Sequence, residues 1–363
     1  FRMSLSSTQF ALNLLRLSSD SSSNFVISPF SLGAALSIVH DGAKNDTQSE
    51  LTQLLAKGLS PEEVSSLYSK LTNDLSSSNN EGVITAVANR FFLENNFDLK
   101  SDYEAHIAKT YNVGVEKLKF SDGAFCADRV NGFVKDNTAG MIPKLVSEDT
   151  FTDAVAILIN AVYFKGEWKK KFDTENTIDK TFHGVSGDRQ TSFMVEKKLS
   201  ARYNVSPELT VVSLPYKDTN YSMVILMPSG DFSSWREGLS ADVLLDSMRA
   251  LRHGDVNLEL PKFKIESETD GVDSLKKCGV SKLFDSSSAD LSGISSDPVF
   301  VSKIIHKAVI EVSEEGTEAA AATGMDMMRM CMPLPPQDIT IDHPFIYSIV
   351  RSNEEILFLG QCC

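Results

Sequence analysis

The feature that most constrains the fold is a stretch of more than 20 residues near the C-terminal end in which no packed element is predicted. It follows Ala308–Val312, which reads as a strand, and has the sequence EEGTEAAAATGMDMMRMCMPLPPQ; strand-like patterning resumes only at Ile339. Loops longer than about 12–15 residues are usually functional or disordered. The Ala, Gly and Thr content also suits a flexible linker, but its five methionines are adaptable contact groups. The pattern therefore favours an exposed loop that another protein contacts.

The rest of the chain predicts helices first and strands later. Apolar residues at helical spacing predict helices in the first third, where Ser6 and Gln9 have the spacing of a capping box at a helix start. Apolar runs at Val83–Leu93 and Ala154–Phe164 predict buried strands. This order argues for an α+β domain with large mixed sheets. No internal repeat or Pro- or Gly-rich linker divides the sequence, so we expect one domain over residues 1–363.

Charge and hydropathy limit the partners. The formal net charge of the 363-residue chain is −14, which argues against broad binding to nucleic acid or to an anionic membrane. The longest nearly apolar run, Ala154–Phe164, is too short for a bilayer span, which takes about 20 residues. We therefore expect neither nucleic acid nor a membrane as a partner.

The five cysteines point to a reducing compartment. They show no metal-binding spacing, and an odd number cannot pair completely within the chain. The N-terminal sequence FRMSLSSTQFALNLLRL lacks the basic, apolar and cleavage segments of a signal peptide. We expect a cytoplasmic protein. The alternative is a secreted protein whose signal peptide has already been removed.

Motifs of common enzymes are missing from the sequence. There is no GxSxG elbow, HExxH helix, GxxxxGK[ST] loop or GxGxxG turn, and the six histidines have no paired spacing. A catalytic Ser/His/Asp site formed by residues that are distant in sequence remains an alternative. We expect a protein that is not an enzyme and that uses no cofactor and no metal.

Five segments, in order along the whole chain, resemble the signatures of the serpin family. They are NFVISPFSLGAALSIVHDGAKNDTQSELTQLL (Asn24–Leu55), NGFVKDNTAGMIPKLV (Asn131–Val146), ILINAVYFKGEWKKKF (Ile157–Phe172), HKAVIEVSEEGTEAAAATG (His306–Gly324) and DHPFIYSIVRSNEEILFLGQ (Asp342–Gln361). The resemblance implies one domain with three β-sheets, eight or nine helices and an exposed reactive-centre loop at about residues 314–338. The Cys-containing tail is similar to the intracellular branch of the family.

The resemblance also implies a mechanism and a partner. A target serine protease cleaves the loop and is trapped as a covalent acyl-enzyme when the loop inserts into the main sheet. The inhibitor is expected to be a monomer. Members that bind heparin carry a basic helix in the region of Pro61–Ser77, which here holds only Lys70. Heparin is therefore not expected as a cofactor.

The hinge of the loop has a composition that allows insertion. In a strand, alternate side chains face the same side, and the residues at every second position from Thr317 are small and uncharged. Proline would remove a ladder donor, a buried charge would be costly, and Gly316 supplies a flexible pivot. The hinge residues are Glu314, Glu315, Gly316, Thr317, Glu318, Ala319, Ala320, Ala321, Ala322 and Thr323. This is typical of inhibitory members.

Counting from Glu314 as in the family puts the cleaved bond at Met330–Cys331. A methionine suits an apolar primary pocket, so chymotrypsin-like proteases such as chymotrypsin and cathepsin G are the expected targets. If Arg329 is the primary residue instead, the target becomes trypsin-like. Inhibition of cysteine proteases and a non-inhibitory role as a binding protein are further alternatives.

Two groups of residues match family positions that control sheet opening. Ser28, Ser31, Asn160 and His306 match a polar cluster beneath the sheet, and a buried network that must break and reform is a plausible gate. Ordinary satisfied core polarity is the alternative. At the top of the sheet, Trp168 matches the family tryptophan, and Lys262 matches the lysine that pairs with Glu314; an exposed pair would contribute only about 0–1 kcal/mol.

Overall fold

Nine α-helices and fourteen β-strands form in the part of the chain that the computed structural model describes, which is residues 2–77, 82–314, 335–353 and 355–363. The helices are α1 (Arg2–Ser18), α2 (Pro29–Gly42), α3 (Asn45–Ala56), α4 (Pro61–Ser77), α5 (Ser101–Tyr111), α6 (Gly123–Asn137), α7 (Phe232–Gly238), α8 (Ala241–Arg249) and α9 (Gly271–Lys277). None of these described helices has both the length and the apolar content that a membrane crossing requires.

The strands begin early in the chain but are concentrated after residue 82. They are β1 (Phe25–Ile27), β2 (Val83–Glu94), β3 (Val115–Leu118), β4 (Ala156–Gly166), β5 (Ile178–Gly184), β6 (Gly187–Val205), β7 (Leu209–Pro215), β8 (Tyr221–Pro228), β9 (Arg252–Pro261), β10 (Phe263–Asp270), β11 (Lys303–Val312), β12 (Gln337–Thr340), β13 (Phe345–Arg351) and β14 (Glu355–Cys362). The α+β fold with eight or nine helices is confirmed.

A five-stranded sheet has the order β10–β11–β4–β2–β3. Its central feature is the parallel pairing of β11 with β4, in which residues 303–310 lie opposite residues 157–164. The outer neighbours β10 and β2 pair antiparallel with β11 and β4 respectively. The first nine residues of β4 are buried, which explains the continuous apolar run: a strand covered on both faces shows no alternation.

The other nine strands form one hydrogen-bonded sheet that bends along β6. The pairing of β6 with β9 shifts register between Glu196 and Leu199, where Lys198 has a φ of 51°. Before the shift β6 pairs with β5, and after it with β7. The register shift therefore divides the sheet into two parts, and β6 belongs to both. One part has the order β5–β6–β9–β12 and the other the order β6–β7–β8–β13–β14–β1. Together with the five-stranded sheet these make the three sheets that the resemblance implies.

Apolar clusters cover both faces of the five-stranded sheet. On one face, Ile157, Ile159 and Val309 pack with Val130 and Val134 of α6. On the other face lie two further clusters: one is shared with the N-terminal helices and the other with the nine-stranded sheet. A strand added to this sheet would therefore be buried on both sides.

The first two helices begin in different ways. Ser28 caps α2, because its Oγ accepts a hydrogen bond from the backbone N of Ser31 at 3.2 Å, and Pro29 occupies the first helical position. The predicted capping box of Ser6 and Gln9 is wrong, since α1 begins at Arg2 and contains both residues.

Candidate functional site

The structure describes both ends of the predicted reactive-centre loop. Residues 315–334 lie outside the described part of the chain, and with them the hinge residues from Glu315 to Thr323 and the predicted reactive residues Arg329, Met330 and Cys331. At the near end, β11 belongs to the five-stranded sheet and leads to Glu314. At the far end, β12 pairs in parallel with β9 of the nine-stranded sheet. The loop therefore connects the two sheets.

Three side chains fix the point where the loop leaves β11. The indole Nε1 of Trp168 donates a hydrogen bond to the carbonyl of Ser313 at 2.8 Å. Nζ of Lys262 lies 2.7 Å from Oε2 of Glu314, and the hydroxyl of Thr177 donates to Oε1 of the same carboxylate at 2.6 Å. The last two residues before the loop are thus held by groups from three separate segments.

The Glu314 carboxylate is buried, with its side chain only 6% exposed. Burial raises the pKa of Glu314, but the hydrogen bonds from Lys262 and Thr177 outweigh it and hold that pKa below its ordinary value. The sequence-based description of an exposed ion pair is therefore corrected. A carboxylate in this position is ionised and has both oxygens occupied, so moving it requires breaking two bonds.

Trp168 links the hinge to the nine-stranded sheet. Its ring stacks on Tyr216 with 4.7 Å between ring centroids and an angle of 9° between the planes. The backbones of the two residues also form an isolated antiparallel bridge. Both side chains are buried. The hydrogen bond to Ser313 therefore ties the end of β11 to a rigid aromatic pair.

A row of polar side chains crosses the middle of the five-stranded sheet. His306 on β11 lies directly opposite Asn160 on β4, and Asn160 lies opposite Asn89 on β2. Nδ1 of His306 contacts Oδ1 of Asn160, and Nδ2 of Asn160 donates to Oδ1 of Asn89. We call these three residues the polar row. The contact between His306 and Asn160 crosses the boundary between β11 and β4.

The polar row is also bonded to the start of α2. Nδ2 of Asn160 donates to Oγ of Ser31 at 2.6 Å, and the backbone N–H of Ser28 donates to Nε2 of His306 at 3.1 Å. Oγ of Ser28 donates to the carbonyl of Leu357 on β14 at 2.7 Å. The structure thus brings together all four residues of the predicted cluster, and they connect both sheets and one helix.

His306 is neutral in this arrangement. Burial lowers its pKa from 6.5 to about 4, because a charged imidazole would lose its hydration. Since Nε2 accepts a hydrogen bond from Ser28, the single ring proton is on Nδ1, facing Asn160. Protonation would turn the accepting Nε2 into a donor and break the bond to Ser28.

We expect acid to destabilise the protein through His306. The pKa is higher in the unfolded chain than in the folded protein, so this contribution is complete above pH 6.5 and is lost as the pH falls toward 4. Between about pH 7.5 and about pH 5.5 the loss is roughly 1 kcal/mol. A His306→Gln variant lacks this pH-dependent loss. Chemical denaturation should therefore show that the difference in unfolding free energy between parent and variant is about 1 kcal/mol smaller at pH 5.5 than at pH 7.5. A gap that does not change with pH would contradict this role.

Sequence reasoning missed two residues of the site. Asn89 completes the polar row, and its signal was an asparagine inside an apolar strand, where this residue is depleted. Thr177 binds Glu314 from the start of β5, and no sequence signal distinguishes it from other threonines.

Comparison with known proteins agrees with this architecture. The profile of the family described as Serpin (serine protease inhibitor) matches residues 5–363. Leukocyte elastase inhibitor A of Mus musculus is 37% identical, with 100% of this chain and 99% of that protein covered, and leukocyte elastase inhibitor of Homo sapiens is 36% identical, with 99% and 98% covered. The native-state crystal structure of tengpin, a thermophilic serpin, has a TM-score of 0.86 and 27% identity, with 99% of this chain and 93% of that chain covered.

The chain belongs to the serpin family. The family description and the names of these relatives support serine protease inhibition as its general function, with a serine protease as partner. The expectation from missing motifs, a protein that is not an enzyme, is corrected by the family match, which assigns the chain to a family of protease inhibitors.

Proposed function

We propose that the protein inhibits serine proteases irreversibly, by inserting its cleaved reactive-centre loop between β11 and β4. The observation that carries this proposal is the direct parallel pairing of these two strands, with Glu314 and the loop following the end of β11. A chain that reverses direction at Glu314 runs antiparallel to both strands. One parallel ladder would then be replaced by two antiparallel ladders, which are slightly more stable per residue.

The length of the loop supports trapping by displacement. Thr317–Met330 spans 14 residues, so a fully inserted strand is about 46 Å long at roughly 3.3 Å per residue. A protease bonded to Met330 would be carried over that distance. The small side chains at alternate positions from Thr317 suit a sheet that is covered by apolar clusters on both faces.

The polar row is the proposed gate. Insertion separates His306 from Asn160, because these residues face each other across the boundary that must open. A buried group that loses its partner costs about 1–3 kcal/mol until it finds another. Each broken bond therefore resists spontaneous opening, while the remaining bonds to Ser28 and Ser31 keep the groups positioned.

Chymotrypsin-like proteases, including chymotrypsin and cathepsin G, are the proposed targets. Met330 offers an unbranched apolar side chain to the primary pocket. The relatives named as leukocyte elastase inhibitors and the family description support a serine protease as the target. Recognition of Arg329 instead would give a trypsin-like target.

We expect chymotrypsin to form a covalent complex that survives denaturing electrophoresis and to release a C-terminal peptide that begins at Cys331. The reason is the hinge count from Glu314 together with the apolar side chain of Met330. N-terminal sequencing of the released peptide checks the bond. A peptide that begins at Met330 would make Arg329 the primary residue, and cleavage without complex would make the protein a substrate or binding protein.

A monomer in the cytoplasm is the proposed setting. Cys126, Cys278, Cys362 and Cys363 are free thiols, which suits a reducing compartment. Burial raises the pKa of the Cys362 thiol to about 12, so it is unreactive at neutral pH. With Lys70 as the one cation in the sequence of α4, heparin activation is not proposed.

A further inference from the structure

A cavity of about 460 Å³ lies beside the end of β11, and four basic side chains line it. Lys169 and Lys170 come from the connection between β4 and β5, while Arg202 and His253 come from β6 and β9. None of the described residues that line the cavity is acidic. This is unusual for a chain of net charge −14, in which acidic residues outnumber basic ones.

Three of the lining residues lie side by side across the sheet. Arg202 on β6 faces His253 on β9 and Ser213 on β7. Directly opposite residues share one face of a sheet, and two basic groups placed this way do not stabilise each other. An anion between them would accept hydrogen bonds from the guanidinium, the imidazole and the buried hydroxyl together.

Part of the positive charge at the cavity is not offset by a neighbouring carboxylate and can bind an anion. Lys170 Nζ lies 2.7 Å from a Glu196 carboxylate oxygen, which offsets that charge. Arg202 instead donates to the neutral amide oxygen of Asn353 at 2.9 Å, so its charge is not neutralised by this bond. Lys169 is exposed at the rim. Asp255 lies opposite Ser200 on the neighbouring strand but does not line the cavity.

Five larger apolar side chains form another part of the lining, and the rest consists of Ala201 and the neutral polar residues Ser200, Thr219, Ser222 and Asn353. Trp168, Phe172 and Leu199 are buried, and Leu214 and Pro215 complete this part. Cavities of a few hundred Å³ with apolar walls and a few convergent polar groups are typical of small-molecule sites. The combination of apolar walls with a cationic side suits a ligand that has an apolar ring and one anionic group.

We propose that this cavity binds a small organic anion, in which an aromatic or aliphatic ring rests against Trp168 and Phe172 and a sulfonate, phosphate or carboxylate binds Arg202, His253 and Ser213, with Lys169 at the rim. The site is also coupled to the loop, a part of the inference that rests on the proposed function. Trp168 lines the cavity and donates its indole N–H to Ser313. A ligand that binds the uninserted arrangement stabilises it and therefore slows insertion.

The binding test uses 8-anilinonaphthalene-1-sulfonate on the full-length native protein, with uncharged N-phenyl-1-naphthylamine as the matched control. The protein has two tryptophans, so a Trp235→Phe background leaves Trp168 as the only donor for energy transfer to the probe. We expect saturable transfer from Trp168. Because hydrogen bonds to charged groups are stronger than neutral ones, the uncharged probe should bind about tenfold more weakly.

Variants identify the charge that matters. Arg202→Gln should weaken binding of the sulfonate about tenfold, while Arg202→Lys retains most of it. Lys117→Gln, which removes an exposed lysine on β3 outside the cavity, should change nothing. Near-ultraviolet circular dichroism checks that each variant is folded. Equal binding of the two probes, or equal binding by Arg202→Gln and the parent, would overturn the site.

The coupling is measured separately, as the number of inhibitor molecules consumed per chymotrypsin molecule inhibited. We expect the saturating sulfonate to raise this number about twofold or more in the parent, since even a small slowing of insertion shifts the partition toward cleavage. No change despite confirmed binding would overturn the coupling and leave the site intact. A protein that forms no complex in either condition would overturn the proposed function instead, and the binding result would not depend on it.

Discussion

Replacing Thr317 by Arg is expected to convert the protein from an inhibitor into a substrate of chymotrypsin. In the proposed mechanism, Thr317 would be the first residue of the inserting strand to turn its side chain into the sheet. The loop sequence that the protease reads is unchanged, so attack at Met330 should proceed normally. Insertion should stall at its first step, and the acyl-enzyme would then be hydrolysed before the protease is displaced.

The arrangement of the sheet sets the size of this effect. Apolar clusters cover the five-stranded sheet on both faces, so an arginine entering between β11 and β4 would be removed from bulk solvent. The buried carboxylate at that end, Glu314, is already bonded to Lys262 and Thr177. An unpaired charge in such a place costs several kcal/mol even after relaxation. Since each 1.36 kcal/mol changes a rate tenfold, insertion should slow more than about a hundredfold. Denaturing electrophoresis should then show cleaved inhibitor in place of covalent complex.

Glu318→Arg is the matched control. It places the same cation one residue later, on the side of the strand that already carries a charge in the parent. Complex formation by this variant should remain close to that of the parent. If Thr317→Arg inhibits as well as the parent, insertion from Thr317 does not arrest the protease and the mechanism is wrong.

Strands with long apolar runs could be predicted from the sequence. A strand that is interrupted by functional polar residues could be predicted only in part. The runs predicted at Val83–Leu93 and Ala154–Phe164 correspond closely to β2 and β4. In contrast, β11 begins at Lys303, five residues before the predicted Ala308. Lys303 and His306 interrupt the apolar pattern, and their partners, the carbonyl of Thr150 and the side chain of Asn160, are distant in sequence.

The failed capping box has a similar cause. Ser6 and Gln9 have the right spacing, but spacing does not exclude positions inside a helix. In the structure Oγ of Ser6 accepts a hydrogen bond from the backbone N of Lys57, and the side chain of Gln9 donates to Asn13 at 2.9 Å. A contact with a residue 51 positions away cannot be read from a local pattern.

The residues of the site could be named from the family resemblance, but their environment could not. Lys262 and Glu314 do lie within 2.7 Å of each other. The surroundings of Glu314 depend on Lys262 and Thr177, which come from segments distant in sequence, while Trp168 holds the neighbouring Ser313. In the folded protein the Glu314 carboxylate is buried and both of its oxygens are bonded, so it is not a weak surface ion pair. This environment arises only when the distant segments come together.

Covalent locking of β11 to β4 tests the central claim most directly. Ala161 and Lys307 lie opposite each other on these strands. Neighbouring strands are about 4.8 Å apart, within disulfide range, whereas a strand inserted between them would separate them to roughly 10 Å, beyond the reach of about 7 Å. An Ala161→Cys, Lys307→Cys protein can therefore be closed by oxidation and opened by reduction, with each single variant as control for the oxidising treatment.

The measurement is the fraction of chymotrypsin held in covalent complex by the double variant before and after reduction, with the disulfide verified by peptide mass spectrometry. We predict that the oxidised protein is cleaved at Met330 with almost no complex, that reduction restores complex formation to the level of the parent, and that the single variants behave like the parent in both conditions. Complex formation by the oxidised double variant equal to that of the parent would contradict insertion between β11 and β4.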